Sequence, residues 1–428
     1  MINKWTIGLA AVGAVSLASV ASADEQTNTL ASLSSTVLSG YVDTSMQWNL
    51  GEGDSHAPGY KYGGAPKADG FNLDVVDLTL EKPLDESEWA AGYKAELWLG
   101  PDANTLGTSS TGVKGDFAIK QAYVALRAPI GNGLDFKVGV FDSVIGYEST
   151  DSINNPNYSR SWAHSIEPAE NTGILSTYRV NNMIAFSAGV ADTSSSVING
   201  RSLEAAPGGT TAPNESYKTY LGSVALTAPD DWGFIAGSSL YAGIVSGWNA
   251  GAAGGATGNP QQNYYVGATI NTPVTGLRTG VSFDYLKTED TLPVVPGGAA
   301  FSTFGAHAWA LYTSYQATEK LSVHARAEYF DISPNAASLA QGALGGGSVG
   351  LNGQAGGIAS SMLSLTGTVQ YDLWKNVLSR VELRWDRALD GTDAFGGTGS
   401  AGFHGTSHFS SGSLSDSFIL AANIIYKF

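Results

Sequence analysis

From residue 34 onward, apolar and polar side chains alternate along the chain with a period of two residues. The pattern is clearest over residues 376–387, where the charged positions are Arg380, Glu382, Arg384 and Asp386. The apolar positions between them are Val377, Val381, Leu383 and Trp385. Because successive side chains of a strand point to opposite faces, the alternation predicts β-strands with one apolar and one polar face. No part of the chain after the N-terminal segment has a convincing helical stripe.

About sixteen such segments follow one another along the chain. The predicted strands lie near residues 34–48, 70–83, 89–99, 116–129, 133–142, 171–180, 183–192, 216–228, 233–248, 261–273, 276–288, 303–317, 320–331, 361–373, 376–387 and 414–428. Seven short links alternate strictly with eight long loops, so that all long loops lie at one end of the sheet. The long loops lie near 49–69, 100–115, 143–170, 193–215, 249–260, 289–302, 332–360 and 388–413.

This asymmetry predicts an all-β, transmembrane, antiparallel up-and-down β-barrel of about sixteen strands, with short periplasmic turns and long external loops. A closed sheet satisfies every backbone polar group in hydrocarbon, and about sixteen strands leave a water-filled lumen. Tryptophans near the predicted strand ends are expected to form girdles at the membrane interfaces. They are Trp48, Trp89, Trp98, Trp232, Trp248, Trp374 and Trp385.

The N-terminal segment has the features of a secretory signal peptide. Lys4 precedes an apolar run over residues 7–20, and Ala21-Ser22-Ala23 is a small-residue cleavage site. We therefore expect a signal peptide over 1–23, a short periplasmic segment over 24–33 and one barrel domain over 34–428. The alternative is an uncleaved membrane anchor, for which the apolar run is short.

Charge and cysteine content exclude several other classes of protein. The chain has 22 Lys+Arg and 38 Asp+Glu, a formal net charge of -16, so we expect no nucleic-acid partner. It has no cysteine, which excludes disulfides, thiolate metal sites and a cysteine nucleophile. A mean hydropathy of -0.03 is too polar for a helical membrane protein.

The last eleven residues, 418–428, place six apolar side chains on one face and end in an aromatic residue, Phe428. This segment resembles the C-terminal strand by which the barrel-assembly machinery recognises outer-membrane proteins. The alternative is an edge strand of a soluble β-domain.

The whole mature chain resembles the family described as putative beta-barrel porin-2, OmpL-like. The resemblance lies in Ser39–Thr44, Ala122–Leu126, Gly131–Gly139, Gly146–Glu148, Asn155–Ser161, Glu382–Asp386 and Ile425–Phe428. The terminal motif is generic to outer-membrane barrels, whereas the middle segments are more specific. The resemblance implies a porin-like barrel in the outer membrane of a Gram-negative-type envelope, without a defined substrate.

The third long loop, residues 143–170, is the candidate constriction. It is poor in glycine and rich in asparagine, aromatic and charged residues, and sixteen-stranded porins resemble one another in folding this loop into the lumen. Its candidate pore-lining residues are Tyr147, Glu148, Asp151, Asn155, Tyr158, Arg160, His164 and Glu167. Pore width and fixed charge would select solutes there. The alternative is that the loop covers the outside of the barrel.

Basic residues of the lumen wall are expected to face the loop acids Glu148 and Asp151. By alternation, the lumen-facing candidates are Lys94, Arg127, Lys137, Arg179, Arg278, Arg326, Arg380 and Arg384. Many of these cations share a strand face with acids, as Arg326 does with Glu328, which favours a mutually screened ionic lining.

Signals for an enzyme, a cofactor or a metal are poor, and we expect none of the three. Residues 346–350 match the G-x-S-x-G pattern but lie in a glycine-rich loop without strand-turn-helix context. His404 and His408 lie in a Gly/Ser loop and not on a helix. A hydrolase with Ser348 as nucleophile is therefore the weakest hypothesis.

The sequence thus predicts an outer-membrane porin for passive diffusion of small hydrophilic solutes or ions. The alternative is a structural or adhesive surface barrel with ligand-binding loops and a closed lumen. Expected partners are outer-membrane lipid, lipopolysaccharide, the barrel-assembly machinery through Phe428, the permeating solutes and, by analogy with barrels of this size, two further copies in a homotrimer.

Overall fold

The computed structural model describes residues 36–51, 58, 60–63, 67–110, 115–206, 210–250, 258–290, 302–332, 359–391, 393–396 and 414–428. The predicted segments 1–23 and 24–33, the G-x-S-x-G match at 346–350, and His404 and His408 lie outside these residues. Strands account for most of the described chain.

The described residues form eighteen strands, of which sixteen close into one barrel. In chain order they are β1 Val37–Leu50, β2 Gly70–Lys82, β3 Ala91–Leu99, β4 Phe117–Ala128, β5 Leu134–Asp142, β6 Glu170–Arg179, β7 Ile184–Ala191, β8 Leu203–Ala206, β9 Thr210–Pro213, β10 Thr219–Thr227, β11 Ser239–Trp248, β12 Pro260–Asn271, β13 Leu277–Asp290, β14 Ser302–Gln316, β15 Leu321–Ile332, β16 Ser361–Trp374, β17 Val377–Ala388 and β18 Asp416–Lys427. Strands β8 and β9 form a separate hairpin within the loop between β7 and β10. The predicted sixteen-stranded antiparallel barrel is confirmed.

Closure of the barrel joins the first strand to the last. Strand β1 pairs antiparallel with β18, with Tyr41 opposite Lys427 and Leu50 opposite Phe418. Each remaining barrel strand pairs antiparallel with its neighbours in the chain, β7 pairing with β10 across the β8–β9 hairpin. The barrel therefore has no open edge, as a sheet in hydrocarbon requires.

The alternation of the sequence separates the two faces of the wall. On β16, Leu365 and Val369 are exposed on the outer surface, whereas Thr366 and Thr368 are buried on the inner one. The same separation on β17 buries Arg380, Glu382, Arg384 and Asp386 inside and exposes Val381 and Leu383 outside. The apolar face is therefore available to lipid and the polar face lines the lumen.

Short helical pieces occur in the loops. They are α1 Pro101–Leu106, α2 Trp162–Ile166 and two 3-10 turns, Ser152–Asn154 and Gly233–Ile235. Among the described residues, no helix is both long enough and apolar enough to cross a membrane.

Two expectations about local structure are wrong. Strand β11 begins at Ser239 rather than at residue 233, because Gly233 has φ 64 and starts a 3-10 turn that the extended chain cannot continue through. Trp98 does not belong to an interface girdle, since it is 1% exposed and its Nε1 donates to Asp77 Oδ2 at 3.2 Å. It lies on the face of β3 that carries Lys94 and Glu96, and so points into the lumen.

Candidate pore constriction

The loop between β5 and β6, residues 143–169, lies inside the barrel, and we call it the inner loop. It contacts opposite parts of the wall. The Tyr241 hydroxyl on β11 donates to Val144 O at 2.6 Å, and the Asn263 amide on β12 donates to Ile166 O at 2.8 Å. Across the lumen, the Tyr158 hydroxyl donates to Ser45 Oγ on β1 at 3.0 Å. The inner loop therefore crosses the lumen and does not cover the outside of the barrel.

Hydrogen bonds within the inner loop explain its compact shape. Asn155 accepts from Ser149 N at 2.8 Å and donates to Ser149 O at 2.7 Å, which folds the segment between them back on itself. Ser161 caps α2 by accepting from His164 N at 3.0 Å. The carboxylate of Glu148 accepts from Ser161 N at 2.7 Å and so links the two parts of the loop.

Arg326 on β15 is the main cation that holds the inner loop. Its Nη1 donates to Glu148 Oε1 at 2.8 Å and to Ser159 O at 2.7 Å. Its Nε forms an ion pair with Glu328 Oε2 at 2.8 Å, and all three charged side chains are buried. Glu148 thus pairs with a basic wall residue, and the planar guanidinium of Arg326 binds the wall through Glu328 and the loop through Glu148 and Ser159.

The inward face of β17 binds the inner loop through four residues, at every second position of the strand. Glu382 accepts from Tyr158 N at 2.7 Å and Ser159 N at 3.0 Å. The two neighbouring arginines donate to loop carbonyls, Arg380 to Asn155 O and Arg384 to Arg160 O, each at 2.6 Å. Asp386 accepts from the indole of Trp162 at 2.8 Å. The charged alternation of residues 380–386 therefore serves to position a loop, in addition to keeping the lumen polar.

Asp151 faces a different part of the wall, formed by β1 to β5. Its Oδ2 lies 3.3 Å from Lys120 Nζ, and the Tyr41 hydroxyl donates to its Oδ1 at 3.4 Å. Lys120, fully buried on β4, also pairs with Glu96 at 3.3 Å and Asp142 at 2.8 Å. Burial raises the pKa of the Asp151 carboxyl to about 6, against the opposing effect of the Lys120 charge.

Sequence reasoning missed Lys120 as a wall cation. Strand β4 has a bulge opposite Glu96 and Leu97 of β3, in which Lys120 is the extra residue, and both Lys120 and Gln121 are buried inside. Strict alternation cannot place two consecutive residues on one face. A signal that could have found Lys120 is Glu96, which alternation places on the inner face of the adjacent strand β3.

The remaining predicted loop residues occupy separate places. Tyr147 stacks on Tyr312 of β14, with ring centroids 4.0 Å apart, and its hydroxyl lies 3.1 Å from Thr269 Oγ1. His164 Nδ1 lies 3.1 Å from Glu167 Oε2. Burial and the neighbouring Asp284 carboxylate raise the pKa of Glu167 well above its ordinary value. Arg160 donates to Tyr158 O at 3.1 Å and Thr150 O at 2.8 Å.

Only part of the predicted wall set meets the inner loop. Arg326, Arg380 and Arg384 bind it directly, and Lys94 pairs with Glu96 at 2.7 Å. The other predicted cations lie elsewhere on the wall, most of them towards the short turns. Arg127 pairs with Asp135, Lys137 lies over the Tyr123 ring, Arg278 donates to Asn271, and Arg179 ends β6.

Residues 60–63 and 67 of the first long loop also lie in the lumen, which the sequence did not indicate. Lys61 N donates to Ser165 Oγ at 3.0 Å, and the Tyr60 hydroxyl donates to Gln47 Oε1 at 3.2 Å. Lys67 forms ion pairs with Asp74 at 2.5 Å and Asp102 at 2.7 Å. Two loops therefore share the space between the walls.

One group of carboxylates has the spacing of a metal site. Oxygens of Asp77, Glu96 and Asp151 all lie within 4.8 Å of one another. The Lys120 ammonium stands 3.3 Å from both Glu96 and Asp151, so positive charge is already supplied by the chain itself.

Charge is distributed unevenly around the inner loop. Arginines concentrate on β15 and β17, where each is matched by acids or loop carbonyls. Acids concentrate on β1 to β5 and the adjoining α1, around Lys67, Lys94 and Lys120. The inner loop therefore meets an arginine-rich wall on one side and a wall rich in acids and lysines on the other.

Comparison with known proteins agrees with this architecture. A family model described as putative beta-barrel porin-2, OmpL-like, matches residues 35–428. No curated protein is similar enough in sequence to give a match.

Three solved structures illustrate the fold. The outer membrane channel DcaP of Acinetobacter baumannii is 11% identical with a TM-score of 0.56, over 92% of this chain and 97% of that one. The anion-selective porin from Comamonas acidovorans is 12% identical with a TM-score of 0.55, over 92% and 99%. OprB of Pseudomonas putida is 11% identical with a TM-score of 0.55, over 92% and 94%. At these identities the likeness concerns the fold. Because the family model spans the whole barrel, this chain belongs to the putative beta-barrel porin-2, OmpL-like family.

Proposed function

We propose that this outer-membrane porin lets small hydrophilic solutes and ions diffuse passively through its lumen, past a constriction formed by the inner loop. The observation that carries the proposal is the binding of this loop across the inside of a closed sixteen-stranded barrel. A path between polar walls requires neither a cofactor nor covalent chemistry. The free energy for transport comes from the solute gradient alone.

The contacts of the inner loop support its role as a fixed constriction. It is held by buried charge-assisted hydrogen bonds to Arg326, Glu382 and Asp386, which belong to two strands of the wall. Such bonds are roughly twice as strong as neutral ones, so a loop held by several of them keeps one position. A fixed loop defines a constant pore width, which passive selection by size needs.

The test is single-channel recording of the purified barrel in planar lipid bilayers, with solutes of graded size and charge. We expect stepwise ion conductance and a cut-off in solute size. A folded barrel that gives no conductance steps would overturn the proposal and favour the adhesive barrel with a closed lumen.

A second experiment tests the role of the inner loop itself. In Glu382→Ala, two loop amides lose their common acceptor, so we expect larger and noisier conductance steps than in the unaltered protein. Glu319→Ala removes the same charge from an exposed short turn and is the matched control. Identical conductance in the two variants would place the constriction elsewhere.

A further inference from the structure

Two buried cations lie in the lumen where the first loop meets the inner loop, and neither forms an ion pair with a described residue. Lys61 is 5% exposed and Arg160 is 3% exposed. Within the described residues, neither has a carboxylate oxygen within 4 Å, whereas Arg326, Arg384, Lys67 and Lys120 each have one. Buried charges are ordinarily paired, so this pair of cations needs an explanation.

The two cations surround one aromatic ring. Lys61 Nζ lies 5.7 Å and the Arg160 guanidinium carbon 5.6 Å from the centroid of the Tyr62 ring. The ring of His164 lies 6.3 Å from that of Tyr62. The backbone bond from Lys61 N to Ser165 Oγ fixes the first loop against α2 and so holds the four side chains together.

Three polar atoms of this group have no hydrogen-bond partner among the residues that the structure describes. They are Tyr62 Oη, Arg160 Nε and His164 Nε2, all in side chains that are at least nine-tenths buried. A buried polar atom without a partner costs about 1–3 kcal/mol, so a ligand that bonds to these three atoms gains free energy from each of them.

The electrostatic surroundings give the sign of that ligand. Burial, together with the charges of Lys61, Arg160 and Arg326, holds the pKa of the His164 ring well below its ordinary value. The Glu167 carboxyl contacts the other ring nitrogen, Nδ1, at 3.1 Å. Burial likewise lowers the pKa of the Lys61 amine, and the carboxylates of Glu170 and Glu167 oppose this shift. Neither carboxylate comes within ion-pair distance of Lys61 or Arg160, so the two cations themselves give the sign of the ligand.

We propose that Lys61, Tyr62, Arg160 and His164 form a binding site for a small oxyanion, a carboxylate or a phosphate, inside the lumen. A guanidinium and an ammonium would supply the charge, and the Tyr62 hydroxyl one further hydrogen bond. The site deepens the proposed function and rests on it, because a solute reaches these residues by entering the pore.

The test is isothermal titration calorimetry of the detergent-solubilised full-length barrel, with potassium phosphate, potassium acetate and potassium chloride in separate arms at one ionic strength. We expect saturable binding of phosphate or acetate, and the arm that saturates identifies the ligand. Saturation with neither oxyanion, or binding of chloride equal to that of both, would overturn the site.

Two variants connect such binding with these residues. Lys61→Gln keeps the backbone bond to Ser165 and removes one charge, so the dissociation constant should rise at least about tenfold, as for loss of one charge-assisted hydrogen bond. Tyr62→Phe removes only the unpartnered hydroxyl and should weaken binding by a smaller factor without loss of folding. Lys218→Gln, which removes the same charge from the loop before β10, should bind as the unaltered protein does. Equal affinity in all three variants would overturn the assignment.

Bilayer recordings on the same samples separate this inference from the proposed function. A barrel that conducts ions but binds no oxyanion refutes the site and leaves the porin. A barrel that binds an oxyanion but does not conduct refutes the porin proposal.

Discussion

Arg326 and Glu148 meet at 2.8 Å in the interior of the barrel, one on strand β15 and the other on the inner loop. Both side chains are almost fully buried, and Arg326 keeps a second carboxylate, Glu328, on its own strand. The pair therefore fixes the inner loop to one place on the wall. Separation of the pair would leave a buried charge without a partner and would strongly destabilise the folded protein, so the contact is hard to break.

Neutralising the two loop acids should move the ion selectivity of the pore towards anions. Glu148→Gln with Asp151→Asn leaves Arg326 and Lys120 with one fewer carboxylate each. A unit charge about 4 Å away contributes about 1 kcal/mol even in water, so each change should alter the permeability ratio by up to about fivefold. Reversal potentials under a salt gradient measure this ratio.

The control for that experiment removes two acids from the loop between β7 and β10. Asp192→Asn with Glu204→Gln takes away the same formal charge but leaves the inner loop intact. A reversal potential that moves equally in both double variants would mean that the inner-loop acids have no special role in selection.

Selectivity should also depend on pH through Asp151. Burial raises the pKa of this carboxyl from 3.8 to about 6, so it becomes neutral in the folded protein as the pH falls through about 6. The folded state then binds more protons than the unfolded one between these two values. The contribution of Asp151 to stability is therefore greatest at low pH and is lost as the pH rises through this window.

Lowering the pH from about 7 to about 5 should accordingly shift the reversal potential towards anion preference. Asp151→Asn should reduce the size of that shift, because the titrating group is gone. An unchanged shift in the variant would assign the titration to other groups, such as Asp102, whose pKa burial also raises to about 6.

The sequence predicted the barrel because the features that determine a barrel can be read from neighbouring residues in the chain. A period of two decides which side chains meet lipid, and the lengths of the links decide at which end each loop lies. The two predictions disagree at Trp98. Alternation places it beside Glu96 on the inner face, where the structure has it, whereas the expected tryptophan girdle placed it on the outside.

The constriction was harder to predict, because its contacts join residues far apart in the chain. Composition indicated an unusual third loop and alternation indicated Arg326, Arg380 and Arg384. Neither could reveal that Glu382 binds two loop amides, or that the first loop also enters the lumen. Such contacts depend on the three-dimensional path of loops, for which the sequence has no period.

The lipid-facing side of β17 offers a test of the membrane position of the barrel. Val381 is 55% exposed and lies well inside its strand, so Val381→Arg should lower the free energy of unfolding by about 2–4 kcal/mol. Val37 is 56% exposed but begins β1, so Val37→Arg should cost only about 0–1 kcal/mol. Denaturant titration in lipid vesicles gives both values, and equal costs would contradict the assigned membrane depth.

Replacement of the last residue, Phe428, should impair assembly of the barrel in the cell more than it impairs folding of the purified protein. Phe428 pairs through its backbone with Gly40, by bonds of 3.0 and 3.1 Å that survive a change of side chain. Its ring is 43% exposed, so Phe428→Ala should refold in detergent almost as the unaltered protein does. If the assembly machinery recognises the terminal aromatic, the variant should nevertheless reach the outer membrane in severalfold lower amount.

Phe418→Ala is the matched control for this prediction, because Phe418 lies on the outside of the same strand and is 40% exposed. It removes an equal ring from β18, and we expect its level in the outer membrane to stay close to that of the unaltered protein. Quantifying folded barrel in isolated outer membranes beside refolding yield in detergent separates recognition from stability. Parallel losses of both quantities in both variants would show that the two rings act only by packing, and that the chain end carries no assembly signal of its own.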